Sequence, residues 1–187
     1  MPVDPASLHI RIYPDAVLRK KAAPVTAFDD TLRAVVRRMF EVMAEEVGIG
    51  LAAPQVGLPW RLFVLNVPPP KPSRGDPDEP PSEYPTFSQG RMVFVNPVLS
   101  NPSGVPEPDN EGCLSLPDIR GDVLRPPVIT ATARDEFGKE FTITAAGLLA
   151  RCIQHEYDHL DGVLILDRMS QMSRIKNRAA IKDLERE

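Results

Sequence analysis

Residues 145–160 read Ala145-Ala146-Gly147-Leu148-Leu149-Ala150-Arg151-Cys152-Ile153-Gln154-His155-Glu156-Tyr157-Asp158-His159-Leu160. Apolar side chains at Leu148, Leu149, Cys152 and Ile153 recur at helical spacing, and His155 and His159 continue the same side. The spacing predicts a helix over Ala145–Leu160. Inside it, His155 to His159 forms an HExxH pattern. Residues four apart are neighbours on one helical face, so the two imidazoles can hold one metal ion. Glu156 follows the first histidine and can reach a water on that metal, which makes it the candidate general base. The chain has three histidines, and two of them fall here.

A catalytic metal site usually offers three protein ligands and one open position. No histidine follows His159, and no acidic residue lies between Arg168 and Lys182, so a third ligand just downstream is not expected. Two cysteines remain. A metal shared by His155 and His159 sits near the level of residue 157, and Cys152 is then about 7.5 Å away along the helix at a rise of about 1.5 Å per residue. A thiol does not span that gap, so Cys152 reads as buried filler. Cys113 lies in Glu111-Gly112-Cys113-Leu114-Ser115, after the turn-rich segment Asn101 to Asn110. It can bring a thiolate from a separate element. On the pattern alone a ligand and a packed thiol both remain open.

Upstream, Asp29 to Glu46 repeats apolar residues at spacings of three and four, with an aspartate to cap its start and Gly48 to stop it, and is predicted helical. Arg61–Val67 and Arg91–Leu99 read as strands, the second ended by Asn101 and Pro102. Pro127–Arg134 and Lys139–Thr144 flank a Gly-containing turn and read as a hairpin leading into the metal helix. Ser170 to Glu187 is dense in charge and helix formers and is expected to be one helix on the body with a solvated outer face. The order gives an α+β fold, mainly antiparallel sheets packed around a C-terminal metal-binding helix, with an N-terminal helix and a C-terminal tail helix. The expected organisation is one catalytic domain over 1–168 and a charged tail over 169–187.

Proline is the unusual component, 21 of 187 residues. Seven fall in Val67–Tyr84, so 67–90 is expected to be an exposed loop insertion, with a ligand for a proline-recognising partner as the other reading. The net charge of −4 does not suit a nucleic-acid binder, and no apolar run reaches the roughly 20 residues of a membrane helix. Met1–Ile10 shows no basic-then-apolar leader, and two cysteines make no disulfide scaffold, so a reducing, cytoplasmic location is expected.

Gly48-Ile49-Gly50-Leu51-Ala52-Ala53-Pro54-Gln55 is the second signal. Small residues let a backbone approach a bound chain, and the lone amide of Gln55 could donate to a developing oxyanion. A helix stop is the plainer reading of the glycines. Taken together, GIGLAAPQ, EGCLS and QHEYDH resemble the three signature motifs of the peptide deformylase family, in order and with each fixed position filled. The likeness extends over nearly all of residues 8–168, including Ile12-Tyr13-Pro14-Asp15 and Val17-Leu18-Arg19.

The resemblance implies metal-dependent hydrolysis of the N-formyl group from formyl-methionine at the start of new polypeptides. It implies Cys113, His155 and His159 as ligands of one divalent metal, usually Fe(II), with Zn, Ni or Co found in some members. It implies Glu156 as general acid/base, and Gln55 with the N–H of Leu114 as donors to the formyl oxygen. Ile49, Gly50 and Gly112 would hold the peptide extended, and Glu111 would pair with a downstream arginine, here Arg125. Leu148, Ile49 and the helix around Cys152 would line the methionine pocket, beside which an inward-pointing Arg151 would shift side-chain preference. The partners implied are formyl-methionyl nascent peptides and, through the tail, the ribosome; a merely solvated tail is equally compatible. Another metallo-amidase or peptidase, or a non-catalytic metal-binding relative, are the competing readings.

Overall fold

The computed structural model describes residues 3–70 and 82–186. The Asp29 side chain accepts from the Leu32 N–H at 3.0 Å and starts α1 (Asp30–Glu45). The helix buries Leu32, Val35, Val36, Met39, Phe40, Val42 and Met43 on one face. Its end does not rest on glycine as expected. Val47 adopts a positive φ of 55°, and Gly48 donates back to the Met43 carbonyl.

Strands β1 (Gly50–Ala52), β2 (Leu62–Leu65), β3 (Met92–Ser103), β6 (Val128–Arg134) and β7 (Glu140–Ala146) form one sheet in the order β1-β2-β3-β6-β7. Every pair in it is antiparallel. The Leu62–Leu65 strand is apolar at every position because both of its faces are covered. Leu62 and Val64 face α1, while Phe63 and Leu65 face the opposite layer. That layer is α2 (Gly147–Leu160), which packs Leu149, Ala150 and Ile153 against Phe94, Ile129 and Ala131. Phe63 and Phe94 stack with centroids 4.7 Å apart. Each such buried side chain contributes roughly 1.5–3 kcal/mol. Beyond β3 the α1 side of the sheet is open, and Thr130–Thr144 and Thr132–Thr142 pair across it.

Four expectations need correction. The second strand runs past Asn101 and Pro102 to Ser103, because register shifts with positive φ at Asn96 and Asn101 absorb the prolines. Ala145 and Ala146 are strand, not helix, since Val128 and Ile129 pair with them; the helix begins at Gly147, whose φ of 54° turns strand into helix without a loop. The segment read as turn-rich holds β4 (Glu107–Cys113), which pairs with β5 (Leu116–Arg125) as a separate two-stranded ribbon. The tail is two helices, α4 (Gln171–Lys176) and α5 (Arg178–Leu184). Asn177 interrupts them, its amide donating to the Arg120 and Ser173 carbonyls.

The ribbon buries Leu116, Ile119 and Val123 against α3 (Ile165–Arg168), Leu18 and Met169, with Ile181 and Leu184 of the tail packed alongside. This core is separate from the one under α2. The proline-rich stretch expected over 67–90 lies partly outside the described residues. Its two ends are joined: Val67 donates to Ser88 Oγ at 2.9 Å, and Ser88 donates to the Val67 carbonyl at 3.0 Å.

Candidate metal centre

Helical spacing places His155 and His159 on one face of α2, with their Nε2 atoms 3.2 Å apart. Cys113 arrives from the end of β4, where the ribbon register slips between Gly112 and Cys113. That bulge aims its Sγ to 3.3 Å from His159 Nε2. The three ligand atoms lie within 4.8 Å of one another. Burial and the neighbouring His155 charge hold the His159 ring well below its ordinary pKa, which favours its neutral form, whereas His155, which burial alone would lower, is raised by hydrogen bonds with Cys113 and Glu111. A thiol and two imidazole nitrogens converging without an intervening carbonyl or carboxylate are a ligand set for a soft-to-borderline divalent metal.

Glu156 is buried one residue beyond His155, and its Oε2 has no hydrogen-bond partner among the described residues. A buried, unpartnered carboxylate oxygen beside converging ligands suits a site completed by a metal and its water. Burial pushes this carboxyl up to about 7, close to the pKa at which a group both takes and returns protons near neutrality. Gly50 makes room for it. A Cβ there would collide with Glu156 Oε1 and lie 2.8 Å from Cys152 Sγ. Cys152 itself turns towards the Ile49 carbonyl at 3.8 Å, and burial keeps its thiol protonated. It takes no part in the ligand group, as the axial distance predicts.

Gln55 is fixed at both ends of its amide. Its Oε1 accepts from the Ala52 N–H at 2.8 Å, leaving Nε2 3.5 Å from Cys113 Sγ and 3.3 Å from Ser115 Oγ. Its NH2 is thus aimed at the metal centre. Leu114 follows Cys113 and lines the same cleft.

A chain of charges stands behind His155. Glu111 Oε2 lies 2.9 Å from His155 Nδ1, which fixes the tautomer that leaves Nε2 free. Arg125 donates to both Glu111 oxygens, at 2.6 and 3.0 Å, the pair expected from the resemblance. Its remaining nitrogen donates to Asp158 at 2.9 Å, and Arg168 donates to Asp158 from the other side. Burial alone would push the Glu111 carboxyl up, but the His155 and Arg125 hydrogen bonds and the Arg125 charge hold it well below the usual range. Sequence reasoning missed Asp158 and Ser115. Asp158 occupies a variable position of the HExxH pattern. It is one of four polar side chains that the helix buries, with Gln154, Glu156 and His159.

The cleft over these groups has a volume of about 580 Å³ and is bordered by Ile49, Gly50, Glu111, Gly112, Leu148 and Cys152. Each residue expected to contact substrate is therefore on its wall. Arg151 is also on the wall, but its guanidinium is turned to the ribbon rather than into the pocket. A second depression of about 360 Å³, lined by Val36, Phe40, Arg91 and Phe141 among others, brings no histidine or cysteine together.

Residues 7–175 match the family model described as polypeptide deformylase. A peptide deformylase of Christiangramia forsetii is 40% identical over 175 residues, covering 92% of this chain and 88% of its own. The Plasmodium falciparum peptide deformylase complex with inhibitor superposes with a TM-score of 0.80 at 36% identity, covering 95% of this chain and 99% of its own. A mutant of Arabidopsis thaliana peptide deformylase 1B gives 0.82 at 40%, covering 96% and 90%. With three signature motifs gathered at one cleft and likeness over almost the whole length, the chain belongs to the polypeptide deformylase family.

Proposed function

We propose that this chain hydrolyses the N-formyl group from formyl-methionine at the start of nascent polypeptides, releasing formate. The observation that carries the reading is the union of a Cys113–His155–His159 ligand group, a buried Glu156 without a partner and a Gln55 amide aimed at them. Cys113, His155 and His159 would hold a divalent metal, which would supply a water of lowered pKa and Lewis acidity beside the formyl oxygen. Glu156 takes the proton of the attacking water and returns it to the leaving amine. The Gln55 NH2 and the Leu114 N–H donate to the formyl oxygen as charge develops there. Ile49, Gly50 and Gly112 offer backbone groups to an extended peptide, and Leu148 with Ile49 and Cys152 receives the methionine side chain. Glu111 and Arg125 keep His155 in its ligating orientation.

Fe(II) is the metal proposed, with Zn, Ni and Co as other members of the set that thiolate and imidazole ligands accept. No helix among the described residues is long and apolar enough to cross a membrane. We read residues 1–168 as the catalytic unit, acting in the cytoplasm. The tail, 169–187, exposes Met172 and Ile175 beside Arg174 and Lys176, which supports docking on the ribosome.

The test is formate release from formyl-Met-Ala-Ser by protein purified anaerobically, with acetyl-Met-Ala-Ser as control. Rapid release from the formyl substrate alone is expected. Glu156→Gln is expected to keep its metal and lose roughly 10²–10⁴-fold in kcat. A variant as fast as the parent removes Glu156 from the mechanism.

A further inference from the structure

The ribbon β4–β5 forms one wall of the cleft, yet its apolar residues pack on α3 and the tail rather than on α2. Polar side chains therefore carry its attachment to the metal helix. One of them is Arg151, on α2 one turn before His155. Its Nη1 donates to Glu111 Oε1 at 2.8 Å and to the Val123 carbonyl at 2.9 Å, and Nη2 donates to the Glu107 carbonyl at 2.9 Å. Its Nε lies 3.5 Å from Asp109 Oδ2. The guanidinium thus holds both ends of the exposed half of β4 and its partner strand at once.

Two features separate this residue from the machinery already described. Glu111 keeps two hydrogen bonds from Arg125 whether or not Arg151 is present, so the support of His155 does not depend on it. The bonds that Arg151 alone makes go to backbone carbonyls of the ribbon. A planar fork reaches several acceptors together, which a lysine ammonium cannot do.

We propose that Arg151 is a positioning residue that fixes the ribbon wall of the cleft and so sets affinity for the part of the peptide beyond the formylated residue. The proposal rests on the deformylase reading, in which the peptide runs between Ile49–Gly50 and Gly112. Without the clamp, Glu107–Glu111 is tied to the metal helix mainly through Glu111, and the strand must be ordered when each substrate binds. The cost then appears in KM and grows with substrate length.

The test compares the parent with Arg151→Met, which keeps the stem, and Arg151→Lys, which keeps the charge. Metal content and unfolding midpoint are measured on each sample. For formyl-Met-Ala-Ser both variants are expected to raise KM about tenfold with kcat within about twofold, and the advantage of this tripeptide over formyl-Met narrows. Amide exchange in residues 107–111 accelerates, while that in β2 and β3 does not; this readout stands even if no formate is released by any sample, an outcome that overturns the function and not the clamp. A lysine variant indistinguishable from the parent shows that charge near Glu111 is what matters and overturns the proposal. So does a fall in kcat with loss of metal, or a KM change of equal size for formyl-Met and the tripeptide.

Discussion

The two parts of the molecule that meet at the metal centre are held by different forces. The five-stranded sheet is covered by α1 and α2 through aliphatic and aromatic side chains, with Phe63, Phe94 and Ile153 fully enclosed. The ribbon β4–β5 faces the same helix α2 through Glu111, Arg125, Arg151 and Asp158. Two of the proposed ligands come from the apolar part and one from the ionic part. Apolar contacts are non-directional and tolerate small displacements. Charged hydrogen bonds with fork geometry do not. The division supplies stability from one part and angular precision from the other. The proposed ligand that must be brought from far away in sequence, Cys113, is the one held by directional bonds.

The severest way to break this contrast is Arg125→Met. It leaves two buried carboxylates, Glu111 and Asp158, short of their central donor. Removing one partner of a buried ionic network costs about 3–5 kcal/mol. Urea unfolding is expected to show a loss of that size, with amide exchange rising first in the ribbon; a loss below about 1 kcal/mol refutes the ionic account of the ribbon. Glu111→Gln sharpens the comparison at the metal. The His155 Nδ1 then faces a neutral acceptor, and metal affinity is expected to fall about 10–100-fold in competition with a chelator. An affinity equal to that of the parent shows that the carboxylate does not tune His155. The smallest effect belongs to the apolar part. Val47, 90% exposed, holds a positive φ that a β-branched residue adopts at a cost. Val47→Gly is expected to raise stability by about 0.5–1 kcal/mol in thermal unfolding while leaving metal affinity where it was.

The same contrast explains what could be read from the sequence. The metal helix was legible because ligand spacing and apolar spacing coincide over Leu148–His159. Four of the five sheet strands and α1 were legible because burial imposes a period on Leu32–Met43 and a continuous apolar run on Leu62–Leu65, whereas β1, Gly50–Ala52, was read only as a glycine-rich stretch and not as a strand. The ribbon was not. Glu107-Pro108-Asp109-Asn110 carries poor strand formers, and what keeps it extended is pairing with Leu124, Val123 and Asp122 across the ribbon. The start of α2 was misplaced because alanine favours helix locally, while Val128 and Ile129 hold Ala145 and Ala146 in the sheet. Asp158 escaped notice because its role depends on Arg125 and Arg168, one far away in sequence and the other ten residues on. Long-range ionic pairing leaves no period to detect.

Val67 and Ser88 close a ring of main chain between β2 and β3 by three hydrogen bonds. Closure at the base decouples the sheet from whatever length of chain lies between them, since loop length adds only slowly to the entropy of closing a ring. The junction is therefore a port for grafting. A reporter peptide, or the new termini of a circular permutant, introduced ahead of Pro85, whose carbonyl together with that of Thr86 accepts from Ala146 and Leu149, is expected to leave the pairing of Phe63 with Phe94 unaltered. The join at Ala146 and Gly147, where strand passes into helix with nothing between, accepts no such guest.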